Sequence, residues 1–539
     1  MTRKRGEHGI IILTAFFFAV FFFLMCVFFC IAEKNVSIAA TETESTYTIK
    51  VGECRGTIYD RNMQPLINEN KELIAAAVPS LLDRKKTAEI AIDKEEFMNK
   101  FDKGLPFTFK CTDKAIESDG LTIFEIPVRY SQNQLASHVI GYISEEKGAD
   151  GIEYGYDSVL GEHFYDNTVS YRTDGSGNIL IGDGKKTMRS DEYKKGVVLT
   201  IDKRIQKIIE ESGKDIAKGA IICADIKSGD ILAMASFPYY DPLNIAVSID
   251  DERCPLIDRA LYSYSVGSIF KLVTAAAALE QGFDSLHYDC RGYTDISGKC
   301  FNCHKLDGHG VQNMSEAMKN SCNTYFIELA RCLDIGQLRD KAFFLGFGRE
   351  NYLCAGITGS SGILPTLEEL SIPAELANFS FGQGKLTATP LQITQLTCAI
   401  ANKGKMPVLK IVRGLTADGE ATSGIKSPCL CTAMSEENAE SLKNMMVRTV
   451  RENEDSKAKA EKISVGAKTS TAQTGRFDSS GNELCHAWIT GFFPARKPKY
   501  AVTVIVEDGG YGNDAAAPVF AKIADSIADL NSERKQLKR

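Results

Sequence analysis

A serine and a lysine stand three positions apart where a turn gives way to an Ala/Leu-rich helix. They are Ser268 and Lys271, in the stretch YSVGSIFKLVTAAAALEQG. Positions i and i+3 share one face of a helix, so the lysine amine can reach the hydroxyl. Serine becomes a nucleophile when a base takes its proton, and burial or a helix N-terminus lowers the pKa of a lysine toward that task. The alternative is a serine that caps the helix and a lysine on a solvated face.

A second cluster of polar residues lies at the start of an apolar helix, in MKNSCNTYFIELA. Ser321 and Asn323 flank Cys322 there. One interpretation is helix capping. The other is a hydroxyl that relays a proton to a leaving group and an amide that positions the lysine and the substrate. Cys322 itself is interpreted as a small buried residue rather than a nucleophile.

A third cluster carries a lysine and hydroxyls on a predicted strand, in VGAKTSTAQTG. Its members are Lys468, Thr469, Ser470 and Thr471. A strand edge of this kind can hold a substrate carboxylate. The backbone N–H of Thr471, with that of Ser268, can form an oxyanion hole. The alternative is an ordinary exposed strand with polar ends.

The three clusters form an ordered set: S-x-x-K, S-x-N and a K-T-G-like triplet, separated by roughly fifty and about 150 residues. Penicillin-binding proteins and serine β-lactamases share this set. The chain resembles a class B penicillin-binding protein, a monofunctional D,D-transpeptidase of cell-wall synthesis. The resemblance covers nearly the whole chain, because RGTIYDRN, GAIICADIKSGDILAMASFPYYDP and FGQGKLTATPLQ also match the motifs of that family in order.

The resemblance implies an α+β fold. We expect a penicillin-binding, serine β-lactamase-like transpeptidase domain, with an antiparallel sheet and helices on both faces, behind an N-terminal membrane helix and an elongated β-rich pedestal domain. The predicted parts are a cytoplasmic tail at 1–8, a transmembrane anchor at 9–32, a pedestal or dimerisation domain at 33–190 and the transpeptidase domain at 195–532. Two apolar runs around KSGD predict a β-hairpin in the last domain.

The resemblance also assigns roles to the three clusters. Ser268 is the implied nucleophile on a D-Ala-D-Ala carbonyl, and Lys271 is its base. Ser321, Asn323 and Lys468 complete the implied catalytic set, in which Ser321 passes the proton to the departing D-alanine. The implied substrate-binding residues are Thr469, Ser470 and Thr471. We expect no metal and no cofactor.

Two residues depart from the family's motifs. Val266 stands where the family usually has proline, which we expect to loosen the turn before Ser268. Ser470 stands where the third motif usually has glycine. A side chain at this position is expected to crowd the acyl pocket or to alter β-lactam affinity.

The N-terminus predicts a membrane segment. A short basic stretch precedes an apolar run from Ile10 to Ala32. At about 1.5 Å per residue, a helix of this length spans roughly 30 Å or more, enough to cross a bilayer. The basic residues before the run place the N-terminus in the cytoplasm and the catalytic domain outside, in the cell membrane as a single-pass protein. A cleaved signal peptide is the alternative.

The cysteines offer competing metal hypotheses. The stretch C-F-N-C-H from Cys300 fits the c-type haem attachment pattern, and a zinc quartet is the second hypothesis. The quartet would be Cys290, Cys300, Cys303 and His304. The family resemblance implies instead a structural thiol or disulfide loop before Gly308-His309-Gly310, without haem.

The charge balance limits the classes of molecule that the chain is expected to bind. The formal net charge is −7 and there is no extended basic tract, which argues against nucleic acid. The implied partners are peptidoglycan stem peptides, β-lactams, a membrane glycosyltransferase and division, elongation or sporulation proteins. The rival functions are a serine β-lactamase, a D,D-carboxypeptidase, a β-lactam sensor and a non-catalytic scaffold of a cell-wall synthesis complex. The pedestal argues against the first two, and the intact Ser268 and Lys271 argue against a pure scaffold.

Overall fold

The computed structural model describes residues 16–29, 46–114, 117–161, 165–174, 179–180, 184–190, 192–424 and 430–537. The chain divides into two compact units. The smaller unit comprises Met1–Glu53, Glu72–Ile126 and Asp166–Ser190, and the larger comprises Cys54–Lys71, Pro127–Tyr165 and Asp191–Arg539. The larger unit therefore includes segments that the sequence analysis placed in the pedestal. The predicted domain boundaries and the pedestal role remain predictions.

The smaller unit is rich in β-structure. One three-stranded sheet has the order Thr46–Cys54, Tyr165–Arg172, Lys186–Met188, and another has the order Phe107–Lys110, Asn70–Ala77, Leu121–Val128. The helical segments are Pro79–Leu81 (3₁₀), Arg84–Glu89 and Lys94–Phe101. Phe97 is fully buried and its ring packs edge-on against Phe109 and Phe107. These aromatic contacts give the unit a core of its own.

A five-stranded antiparallel sheet forms the centre of the larger unit. Its strands are β1 (Gly219–Asp225), β2 (Ile231–Phe237), β3 (Gly466–Phe477), β4 (Glu483–Phe493) and β5 (Tyr500–Val506). The spatial order is β2-β1-β5-β4-β3, so β3, which carries the third motif, is an edge strand. The predicted hairpin around KSGD is confirmed as β1 and β2, which pair directly.

Helices cover both faces of this sheet. The principal ones are α1 (Lys203–Gly213), α2 (Lys271–Glu280), α3 (Asn323–Cys332), α4 (Pro390–Ala401), α5 (Glu436–Arg451) and α6 (Gly512–Leu537). Helices α1 and α6 pack on one face, and α4 covers the other face with α2, α3 and α5 beside it. The predicted α+β architecture of the transpeptidase domain is confirmed.

Alternation along β1 explains why two layers of helices are needed. Ile222 belongs to the core on the α4 side, whereas Ile221 and Cys223 belong to the core on the α6 side. All three are fully buried. Successive side chains of a strand point to opposite faces, so a strand that is apolar at every position must be covered on both faces.

The remaining elements of the larger unit surround this centre. A four-stranded sheet has the order Thr57–Tyr59, Gly196–Leu199, Val412–Thr416, Ser423–Gly424. Two-stranded pairs are Ile143–Ser144 with Lys147–Gly148, Tyr264–Ser265 with Thr387–Ala388, Tyr288–Cys290 with Gly310–Gln312, Tyr293–Ile296 with Lys299–Asn302, Asn351–Cys354 with Ile357–Gly359, and Lys405–Met406 with Cys431–Thr432. The other helices described are Ser137–Ile140, Gly151–Gly155, Asp157–Leu160, Ile245–Ile249, Met314–Lys319, Ile335–Phe344, Leu367–Leu370 and Pro373–Ser380, and 3₁₀ turns are Glu192–Lys194 and Gly267–Phe270.

The predicted membrane anchor at 9–32 falls partly outside the described residues. Residues 16–29 are helical. Within the part of the chain that the structure describes, none of the helices has the length and apolarity required to span a membrane. The anchor remains a prediction.

Candidate active site

The nucleophile candidate lies on a tight turn that leads into α2. A 3₁₀ turn, Gly267–Phe270, precedes the helix. Gly267 has a φ of 63°, and a Cβ atom there would lie 2.4 Å from Ser470 Oγ. The position therefore requires glycine for both its backbone angle and the close approach of β3. Gly267 N–H donates to Gly382 O at 2.8 Å, which fixes the turn from its other side.

Lys271 is buried at the first turn of α2. It is 0% exposed, so the alternative of a lysine on a solvated face is wrong. Its Nζ donates to Ser321 O at 2.7 Å and to Asn323 Oδ1 at 2.8 Å, and it lies 3.0 Å from Ser268 Oγ and 3.3 Å from Ser321 Oγ. Burial, and then the nearby charge of Lys468, hold the pKa of Lys271 well below its usual value.

The second motif bends sharply so that its two polar side chains reach Lys271 and Ser268. Ser321 has a φ of 50°, in the left-handed region. Its Oγ donates to Ser268 Oγ at 3.1 Å. The residue that caps α3 is Cys322, whose side chain accepts from Tyr325 N–H. Because Cys322 caps the helix, the hydroxyl of Ser321 and the side-chain amide of Asn323 can interact with Ser268 and Lys271 instead.

The third motif brings a second buried lysine, Lys468, to the hydroxyl of Ser321. Lys468 on β3 is 2% exposed and pairs across the sheet with Thr490. Its Nζ donates to Ser321 Oγ at 3.1 Å and to Thr469 O at 3.0 Å. Burial lowers the pKa of Lys468 to about 8. The lysines thus approach Ser321 from two sides, and the five predicted catalytic residues form one network.

An open cleft of about 660 Å³ adjoins this network on the side of Lys468, with Ser321, Thr469 and His309 in its wall. Thr471 Oγ1 accepts from Gly512 N–H at 3.2 Å, which ties β3 to the start of α6. Because Thr469 lies in the wall of the cleft, a substrate group in the cleft can contact it.

Ser470 does not extend into this cleft. It is 3% exposed, and its Oγ donates to Val266 O at 2.8 Å beneath the nucleophile turn. The expectation that its side chain crowds the acyl pocket is wrong, because successive residues of a strand point to opposite faces and position 470 faces the turn. Its predicted contact with the substrate remains a prediction.

A thiol cluster lies directly behind the second motif. One nitrogen or sulfur atom from each of four residues lies within 4.8 Å of the others, a donor set suited to Zn²⁺. The residues are Cys290, Cys303, His309 and Cys322. Cys300 and His304 of the quartet proposed from the sequence are exposed, and His309 and Cys322 lie in their places. Two sequence features could have indicated His309 and Cys322 as members: the G-H-G triplet for the histidine, and the position between Ser321 and Asn323 for the cysteine.

Sequence reasoning also missed the ion pair behind the nucleophile turn. Glu507 Oε1 accepts from Arg259 Nε at 2.9 Å and from Tyr264 OH at 2.7 Å. Trp488 Nε1 donates to Ser265 O at 3.1 Å. The sequence feature that could have indicated this ion pair is Glu507, an acidic residue directly after the apolar run of β5. These bonds hold the segment before Ser268 against the sheet.

Comparisons with known proteins agree with this geometry. The penicillin-binding protein transpeptidase domain matches residues 219–525, more than half of the chain. The chain is 31% identical over 445 residues to Stage V sporulation protein D of Bacillus subtilis, covering 77% of this chain and 66% of that protein. It is 27% identical over 521 residues to peptidoglycan D,D-transpeptidase MrdA of Acinetobacter baumannii, covering 85% of this chain and 74% of that protein.

A solved structure supports the fold. The complex between penicillin-binding protein PBP2 and MreC from Helicobacter pylori superimposes with a TM-score of 0.66 at 24% identity, covering 91% of this chain and 100% of that one. At this identity the likeness concerns the fold. The chain belongs to the penicillin-binding protein transpeptidases, which confirms the sequence-based prediction of a serine-type peptidoglycan D,D-transpeptidase.

Proposed function

We propose that the chain cross-links peptidoglycan stem peptides through an acyl-enzyme on Ser268. The observation that carries this proposal is the set of partners around the Lys271 amine. A neutral amine has two N–H groups and one lone pair. Ser321 O and Asn323 Oδ1, at 2.7 and 2.8 Å, are acceptors for the two N–H groups. The lone pair is left for the Ser268 hydroxyl, 3.0 Å away.

Acylation begins when Ser268 Oγ attacks the carbonyl carbon of D-Ala-D-Ala. The hydroxyl proton passes to Lys271 Nζ, whose lowered pKa favours the neutral form that can accept it. The carbonyl oxygen becomes an oxyanion, which the backbone N–H groups of Ser268 and Thr471 receive. The tetrahedral centre then expels the nitrogen of the terminal D-alanine.

The leaving nitrogen needs a proton, and Ser321 is placed to pass one on. Its hydroxyl lies 3.1 Å from Ser268 Oγ and 3.1 Å from Lys468 Nζ. The proton held by Lys271 reaches the leaving amine through Ser321, and Asn323 keeps the lysine in place. D-alanine departs and an ester to Ser268 remains.

The substrate carboxylate is received on β3. Lys468 supplies the positive charge, and the hydroxyls of Thr469 and Thr471 supply donors. An amine from a neighbouring stem peptide then attacks the ester, returns the proton to Ser268 Oγ and forms the cross-linking amide. A β-lactam acylates Ser268 in the same way, but its leaving group stays tethered.

The chain is proposed to act outside the cytoplasm, held by a single membrane segment at 9–32 with its N-terminus inside. A membrane glycosyltransferase would supply the glycan strands. The complex of the Helicobacter pylori neighbour with MreC supports an elongation partner, and the Bacillus subtilis relative supports sporulation as the other setting. Division proteins are the third class of partner. No nucleic acid is involved.

The test is covalent labelling of the full-length chain in detergent with a fluorescent penicillin. We expect a stable labelled band in the wild type and none in Ser268→Ala. The matched control is Ser532→Ala, which removes an exposed hydroxyl on α6 and keeps the label. Mass spectrometry of the labelled peptide locates the adduct, which must lie on Ser268.

Other outcomes would favour the rival functions. Rapid loss of label from the wild type would indicate a β-lactamase. Folded wild-type protein that takes no label and does not process a D-Ala-D-Ala stem peptide would indicate a scaffold, and either result would overturn the proposal.

A further inference from the structure

The two positions at which the chain departs from its family's motifs are joined by one hydrogen bond. Ser470 Oγ on β3 donates to Val266 O at 2.8 Å. Ser470 is 3% exposed and Val266 is 0% exposed. The bond is therefore shielded from water, and removing the hydroxyl takes a partner away from a buried carbonyl.

This bond joins the two chain segments that carry the halves of the proposed oxyanion hole. Val266 precedes Ser268 by two residues, and Ser470 directly precedes Thr471. A Cβ atom at Gly267 would lie 2.4 Å from Ser470 Oγ and 3.0 Å from Thr471 O, so the turn and the strand are in close contact. The spacing of the two backbone N–H groups therefore depends on how firmly the turn is held against β3.

We propose that the Ser470 hydroxyl is a positioning group that holds the nucleophile turn against β3, a role that rests on the proposed function of Ser268. A proline before Gly267 would restrain the turn through its ring, which fixes φ. Val266 has no ring, and its φ is −93°. The hydroxyl supplies the restraint from the opposite side, across the contact between turn and strand.

The restraint affects a specific step. Oxyanion donors act only when they are held where charge develops, so a loosened turn slows acylation more than it weakens first binding. We expect Ser470→Ala and Ser470→Gly to lower the acylation rate constant k2 for penicillin about 10-fold, with the dissociation constant of the non-covalent complex changed less than about 2-fold. Stopped-flow labelling of the full-length chain separates the two constants.

A double variant tests the compensation. Val266→Pro added to Ser470→Gly is expected to recover most of the lost k2, because the ring restores the restraint. The matched control is Thr503→Val, which removes another buried hydroxyl from the same sheet. Thr503 Oγ1 is hydrogen-bonded to Thr394 and Thr490 rather than to a residue of the turn. This control is expected to lower the melting temperature and to leave k2 unchanged.

A second readout does not depend on activity. Gly267 N–H, which donates to Gly382 O, is expected to exchange with solvent faster in Ser470→Ala than in the wild type or Thr503→Val, by hydrogen-exchange mass spectrometry. An unchanged k2 in both Ser470 variants, or unchanged exchange at Gly267, overturns the proposal. A wild type that takes no penicillin contradicts the function of Ser268 instead, and the exchange at Gly267 then still decides whether the restraint exists.

Discussion

Two regions of the larger unit shield ionisable groups from water, and they do so differently. In the lysine network, Lys271 and Lys468 are almost fully buried and each has several oxygen partners. Before the turn, Asp258 accepts from Ala260 N–H through Oδ1 at 3.0 Å. Its Oδ2 is buried and has no hydrogen-bond partner among the described residues.

The same physical effect acts in both regions. Burial disfavours the charged form, so it lowers the pKa of a lysine and raises that of a carboxyl group. In the first region the pKa of both lysines is lowered, and carbonyl oxygens accept from the N–H groups of Lys271. In the second, burial raises the pKa of Asp258 to about 7, with a further contribution from Asp150. Burial thus gives a usable base in one region and a stability cost in the other.

Removing the base of the lysine network should have the largest effect. We expect Lys271→Ala to lower the rate of penicillin acylation by about 10³-fold, since a general base contributes about 10² to 10⁴-fold. Among the described residues, Lys468 reaches Ser268 only through the hydroxyl of Ser321. The rate is measured by time-resolved fluorescent labelling. Lys522→Ala, on the exposed side of α6, is the control; a loss below 10-fold in Lys271→Ala would assign the base elsewhere.

The second lysine should give acylation a pH limit on the alkaline side. Lys468 must carry its charge to receive the substrate carboxylate, and burial lowers its pKa to about 8. The charged form is present below that pH and is lost above it, so the acylation rate is expected to fall about 10-fold for each pH unit well above 8.

The matched variant for this limit is Lys468→Arg. An arginine stays charged throughout the range, so the decline above pH 8 should disappear even though the overall rate is lower. A decline that persists unchanged in the arginine variant would attribute the limit to another group.

The thiol cluster behind Ser321 is a third region that shields ionisable groups from water. There, a bound metal cation would neutralise the negative charge of deprotonated cysteine sulfur. Against the expectation of no metal that the resemblance implied, the donor set of Cys290, Cys303, His309 and Cys322 predicts uptake of one Zn²⁺ per chain. The melting temperature should then rise by several degrees, and a chelator should reverse the rise. His309→Ala should lose the response, and His287→Ala, on an exposed loop, should keep it. Co²⁺ spectra without thiolate charge-transfer bands would contradict the prediction.

The sequence predicted the lysine network better than its surroundings. The positions of Ser268, Lys271 and Lys468 follow from short motifs, because each motif lies within one turn or one strand. The hydrogen bond from Ser470 to Val266 joins residues that are distant in the chain, so only the packing of β3 against the turn reveals it. The same reason explains the zinc quartet that was considered as one hypothesis: it included Cys300 and His304 because they lie in a local pattern. The fold instead brings His309 and Cys322 to Cys290 and Cys303.

Replacing Asp258 should have the smallest effect, and the effect should depend on pH. The pKa of Asp258 is near 3.8 unfolded and about 7 folded, so the folded state holds the proton more tightly. Its contribution to stability is present below pH 4 and is lost as the pH rises to 7. Asp258→Asn is neutral and of similar shape, so it should raise the free energy of unfolding above pH 7 by at most about 4 kcal/mol, and by nothing near pH 4.

Thermal melting of the wild type and Asp258→Asn between pH 4 and 9 measures this difference directly. The expected gain is a few degrees at pH 8, growing between pH 4 and 7 and then constant. The exposed Asp284→Asn serves as the control and should show no such trend. An equal shift in melting temperature at every pH would mean that Asp258 stays charged in the folded state, stabilised by Arg259. The two regions would then not differ in how burial affects their ionisable groups.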